Sequence, residues 1–183
     1  MLQALPIKRE QALPLQLAGI VFFVALTALS ARISIPLEPV PFTMQVLAVL
    51  LSGMVLGAWG GGASQAIYVG LIMVGMPIDA AGKGSLAFFG SNGGYFVGFI
   101  VAAFVVGLLT QRGKNMFWVR WVAGLVGVAI IYWFGALNLS LFLGVDAGKA
   151  FALGVQPFIV LDIIKALLAA TLTEGMRKLL KVS

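Results

Sequence analysis

Two residues of opposite charge stand three apart in an otherwise apolar run, Leu161-Asp162-Ile163-Ile164-Lys165. On a helix that spacing puts both on one face. In a membrane span each ionised residue near the middle costs about 2.5–3.5 kcal/mol, so the two need each other or a polar cavity. A mutual ion pair could simply lock two helices. Lys165, however, keeps spare donors after pairing with Asp162. The functional reading is a carboxylate acceptor beside an ammonium donor, suited to a small ligand with adjacent N–H and C=O groups. Gln45 and Asn92 add amides that donate and accept, for a ligand or for a bridge between helices. Tyr95, Phe88, Phe89 and Phe42 could wall in a ring, although aromatics at span ends also anchor the membrane interface. Tyr68, Trp118, Trp121, Tyr132 and Trp133 fit that belt role.

Much other chemistry is excluded. With no cysteine and no histidine, there is no disulfide, no thiolate or imidazole metal site and no Ser-His or Cys-His catalytic arrangement. Gly144-Val145-Asp146-Ala147-Gly148-Lys149-Ala150 is one residue short of a phosphate-binding loop and lacks the hydroxyl that would hold magnesium. The acidic residues are scattered, so no metal-diphosphate site can be assembled. No catalytic or metal-ligating residues are assigned, no cofactor is expected, and an enzyme is the least supported class.

The elements that must position the polar residues are membrane spans. The chain of 183 residues is 61% apolar and 10% charged, with a mean hydropathy of +1.08. That leaves too little polar surface to coat a soluble domain. A bilayer core needs about 20 helical residues, and six stretches qualify or nearly do: about 15–31, 42–59, 63–76, 94–110, 117–142 and 157–172, the last with a polar continuation. The second is expected to stop at Gly60-Gly61-Gly62, and the third is short enough to be tilted or re-entrant. Backbone groups in hydrocarbon must be satisfied internally, so the expected fold is an all-α integral membrane protein, a six-helix transmembrane bundle forming one domain over 1–183.

Charge gives the expected orientation. Lys8, Arg9, Arg112, Lys114, Arg120, Arg177, Lys178 and Lys181 fall on one side, and Arg32, Lys83 and Lys149 on the other. The positive-inside rule then puts both termini in the cytoplasm, with 1–14 as an N-terminal segment and 177–183 as a tail of a multi-pass plasma-membrane protein. The net charge of +6 is read as orientation among lipids, with no nucleic-acid partner. A cleaved leader ending near Ala28-Leu29-Ser30 is set aside because it would leave five spans and spoil the charge parity.

The expected external connections are long and rich in Gly and Pro. The middle one, 76–94, is too apolar for a solvent loop and is expected to fold over a site. Ala25, Ala28 and Ala31 line the first span with small side chains, offering a docking face for a partner membrane protein or packing within the bundle. A homo-oligomer is left open.

Three ordered segments resemble a known family. Ile33-Ser34-Ile35-Pro36-Leu37-Glu38-Pro39-Val40-Pro41-Phe42-Thr43-Met44-Gln45, Gly90-Ser91-Asn92-Gly93-Gly94-Tyr95 and Pro157-Phe158-Ile159-Val160-Leu161-Asp162-Ile163-Ile164-Lys165 resemble the signature regions of the BioY family. These are biotin-binding S components of energy-coupling-factor (ECF) transporters. The likeness runs from about Ala25 to Ala170. It implies a six-helix subunit that captures biotin from outside and hands it across with a transmembrane coupling protein and a pair of cytoplasmic ATPases, docking through Ala25 to Ala31. It also implies that Asp162 accepts from a ureido N–H and that Lys165 donates to the ureido oxygen or the carboxylate. Lys83 stands where the family often presents an amide, Glu38 where it usually has glycine, and Leu161 where glycine usually precedes the aspartate. An S component for thiamine or riboflavin, or a channel or structural subunit, is the alternative.

Overall fold

The computed structural model describes residues 9–113 and 116–179. Lys8, Lys114 and Lys181, used above for orientation, lie outside the described residues. Helix α1 (Arg9–Arg32) leads into a two-residue hairpin, β1 (Ser34–Ile35) against β2 (Phe42–Thr43), paired antiparallel with Ser34 opposite Thr43. Then follow α2 (Gln45–Met73), the single turn α3 (Ser85–Phe88), α4 (Gly93–Arg112), α5 (Phe117–Leu143), the short α6 (Ala147–Gly154), a 3₁₀ turn (Gln156–Phe158) and α7 (Ile159–Leu179).

α2 is not one rod. Gly57 sits at φ 80°, ψ −176°, a region essentially reserved for glycine. There the chain folds back into two antiparallel arms, 45–56 and 58–73. The Gln45 amide donates to the Tyr68 hydroxyl at 2.7 Å, whereas 23 residues of straight helix would hold them about 35 Å apart. A Cβ on Gly61 would likewise meet the Gly53 backbone at 2.7 Å. The turn therefore falls at Gly57, ahead of the Gly60-Gly61-Gly62 cluster where a break was expected. Those glycines begin the second arm instead and let it lie close to its neighbours, the usual work of small residues between membrane helices. Gln111 of α4 reaches over the turn and accepts from the Ala58 N–H at 3.1 Å, satisfying one of the free donors at the start of the second arm. The second arm is about 24 Å long at ~1.5 Å per residue, short of a roughly 30 Å core, as its sequence suggests.

With α1, the two arms, α4, α5 and α7, the described residues form a bundle of six long helical segments. The α2 hairpin is central and largely buried, whereas little of α1 is buried. α4 packs on both arms, and α5 on α4 with glycines at the crossings, where Gly98 faces Ile131 and Gly127 faces Val106 and Leu50. α7 closes the bundle against α5, with Gly124 against Ala166. Large apolar side chains such as Leu29, Trp59, Val74, Trp133 and Leu141 point outward, while Thr27, Ser52, Ser64 and Gln65 are buried and hydrogen-bonded to one another between α1 and the hairpin. That inside-out distribution suits a lipid surround, in which polar groups find partners inside the bundle.

Two expectations change. Tyr68, expected in the interface belt, is fully buried and donates from its hydroxyl to the Ile78 carbonyl at 3.1 Å. Arg120, counted with loop cations, lies within α5 and pairs with Glu174 of α7 at 2.8 Å, tying the two helices at the end of the bundle away from the long connections. Trp118 and Trp133 do face outward.

Candidate functional site

The three long connections gather over one end of the bundle. Arg32, at the end of α1, donates to the Pro77 carbonyl and so pins the second connection beside the first. Asp79 is buried and accepts from the backbone N–H of Ala81 and Gly84, at 3.1 and 2.7 Å, shaping a tight loop around the positive-φ residues Gly82 and Gly84. Asn138 of α5 donates to the carbonyls of Gly90 and Ser91, and Ser91 to that of Pro39. In the third connection Asp146 caps α6 by accepting the Lys149 N–H at 3.0 Å, and this bond holds its carboxyl below the ordinary carboxylate range. The bonds of Arg32, Ser91 and Asn138 join the first two connections to each other and to α5 as a lid, with the third beside them.

Beneath the lid is a cavity of about 60 Å³. Its polar centre comes from α7. Lys165 donates to Asp162 Oδ1 and to the Thr43 carbonyl, each at 2.6 Å, and its Nζ lies 3.9 Å from the centre of the Phe42 ring. Tyr132 of α5 donates to Asp162 Oδ2 at 2.7 Å. Both charged side chains are about 95% buried, so every one of these contacts acts in a low-dielectric setting where an unpaired charge would be costly. Phe42 and Phe158 stack nearly parallel at 6.5 Å as an apolar wall.

Of the residues expected at a site, Asp162, Lys165, Gln45, Asn92 and Tyr95 line this one cavity. Asn92 Oδ1 is buried and makes no hydrogen bond, an acceptor aimed at no protein group. Tyr95 turns its hydroxyl away to donate to the Gly154 carbonyl at 2.7 Å, with its ring seated on Gly135, so only its body faces the cavity. Lys83 and Phe88 are placed elsewhere: Lys83 is exposed on the lid, and Phe88 lines a separate depression with Gly94, Phe134 and Asn138. Leu161 is 44% exposed on the outer side of α7 and adds no bulk beside the charged pair. Glu38 is exposed as well. Along α1, Ala31 is fully buried, Ala28 half-buried against the core and Ala25 exposed, so the three alanines do not share one outward face.

Tyr132, expected in the belt, instead lines the cavity and bonds Asp162. Its signal was spacing. It stands four residues after Val128 and three before Gly135, on the inward face that also carries Gly124, Gly127 and Ile131. No sequence pattern marks the Thr43 carbonyl.

A lipid-facing helical bundle with an enclosed polar pair and an aromatic wall under a folded lid defines a multi-pass membrane protein with a small-molecule site. The BioY family model matches residues 7–182, and the chain belongs to that family. It is 43% identical over 159 residues to a probable biotin transporter BioY of Pyrococcus horikoshii, covering 86% of this chain and 93% of that one. To the biotin transporter BioY of Thermotoga maritima it is 42% identical over 163 residues, covering 88% and 94%. The fold superposes on the crystal structure of the S-component for biotin from an ECF-type ABC transporter with a TM-score of 0.84 and 25% identity, over 94% of this chain and 95% of that one.

Proposed function

We propose that the protein is the biotin-binding S component of an ECF-type uptake transporter in the plasma membrane. The observation that carries this reading is the Asp162–Lys165–Tyr132 group gathered under the lid beside the Phe42–Phe158 wall. A urea ring presents N–H donors beside a carbonyl acceptor. Asp162 would accept from one N–H, Lys165 would donate to the ureido oxygen or the carboxylate, and the free Asn92 Oδ1 would accept from a second N–H. Gln45, held by Tyr68, and the ring of Tyr95 would complete the wall. Lys83 and Phe88 would reach a ligand only if the lid moves. The names of the relatives and of the solved neighbour support biotin as the ligand. The role is capture and transfer, not catalysis.

Energy for transfer would come from a coupling membrane protein with a pair of ATPases on the cytoplasmic side. The exposed stripe of α1 around Val21, Phe22, Ala25 and Leu29 would meet that coupling protein, with Ala28 and Ala31 packing α1 onto the bundle.

Equilibrium binding of biotin to the purified chain tests the ligand, with thiamine and riboflavin as competitors. Biotin alone should compete, and an Asp162→Ala/Lys165→Ala variant should lose binding. A chain that binds none of the three, or a double variant with unchanged affinity, would overturn the assignment.

A further inference from the structure

The cavity holds about 60 Å³, whereas a small-molecule pocket usually offers roughly 300–1,000 Å³. The fused double ring of biotin therefore needs a wall to move, on the reading that biotin is the ligand. Most walls cannot. Phe96, Phe99, Ile131 and Phe158 are each at most 6% exposed and embedded in the core, where close packing leaves no room to retreat.

Tyr132 is different. Besides facing the cavity, it lines a groove of about 480 Å³ between α5 and α6, bounded by Ala129, Ala136, Ala147, Phe151 and Val155. It is a wall with free space behind it. The small side chains of Ala129, Ala136 and Ala147 are what leave that space open. Its tie to the cavity is the hydrogen bond to Asp162 Oδ2. A ligand N–H arriving at the same oxygen would replace that bond, so the buried carboxylate keeps its donors throughout the exchange.

We propose that Tyr132 is the displaceable wall that sets the ring size the site accepts, its ring retracting into the α5–α6 groove as a ureido N–H takes its place on Asp162. The groove is then the receptacle for this side chain.

The test fills the groove and follows the ring. In the purified full chain, Ala136→Phe and Ala147→Phe, from opposite walls, should each weaken biotin binding at least tenfold. Both should spare desthiobiotin, which keeps the urea ring and acid chain but lacks the fused thioether ring. Tyr132→Ala added to Ala136→Phe should restore biotin binding. Biotin affinity unchanged in both filled variants would overturn the proposal. A readout that needs no stable variant comes from the chain having three tyrosines. With 3-fluorotyrosine incorporated, saturating biotin should shift the Tyr132 resonance more than those of Tyr68 and Tyr95, which are bonded to the Ile78 and Gly154 carbonyls. A Tyr132 resonance that stays put while biotin is bound would sink the idea. Absence of biotin binding by the unaltered chain would instead sink the ligand assignment on which it rests.

Discussion

Lys165 and Asp162 are each half of a buried pair, so removing one partner differs from removing both. Lys165→Met leaves a carboxylate in the bundle with Tyr132 as its remaining side-chain donor, and we expect a loss of about 3–5 kcal/mol in unfolding experiments in detergent. Asp162→Leu/Lys165→Met together should cost less than the single change while abolishing ligand binding. A double variant less stable than the single would contradict this. Asn92 is the converse case. Its Oδ1 has no hydrogen bond to lose, so Asn92→Leu should leave the unfolding temperature nearly unchanged yet weaken biotin binding tenfold or more; equal affinity would remove Asn92 from the site. These residues were legible because a charge or amide in an apolar span requires a reason. Tyr132 was hidden because an aromatic in a span already has an ordinary one, and Thr43 because it contributes only its carbonyl.

At the scale of elements, span boundaries followed from apolar runs and hold to within a few residues for α4 and α5. The hairpin within α2 did not. Gly60-Gly61-Gly62 reads as a break by the rules of soluble helices, but between membrane helices glycine also permits backbone contact, and sequence alone does not separate the two uses. What decides is the positive φ at Gly57. Gly57→Ala should destabilise by about 1–3 kcal/mol, whereas Gly70→Ala, with nothing within 4 Å of the added methyl, should be neutral or mildly stabilising. Thermal unfolding of the two variants side by side decides it; equal stability would place the turn elsewhere. The order of the helices was legible, but the closeness of the lid was not, since its ties run largely from side chains to carbonyls.

The molecule as a whole has an expected direction in the membrane. The lid end should face outside, with Arg112 and Arg177 at the cytoplasmic end. Because the chain has no cysteine, Lys83→Cys and Lys149→Cys can each serve as a single label site. In intact cells both should react with a membrane-impermeant maleimide, and Arg112→Cys should react only after lysis; the reverse pattern would invert the protein. The cavity sits among α2, α4, α5 and α7. The residues lining the cavity include none from α1, which leans on the α2 hairpin from outside. Cargo recognition and the surface of that outer helix are thus separate heritable traits: a lineage can redraw the exposed stripe of α1 to suit a new neighbour without retuning what the protein carries.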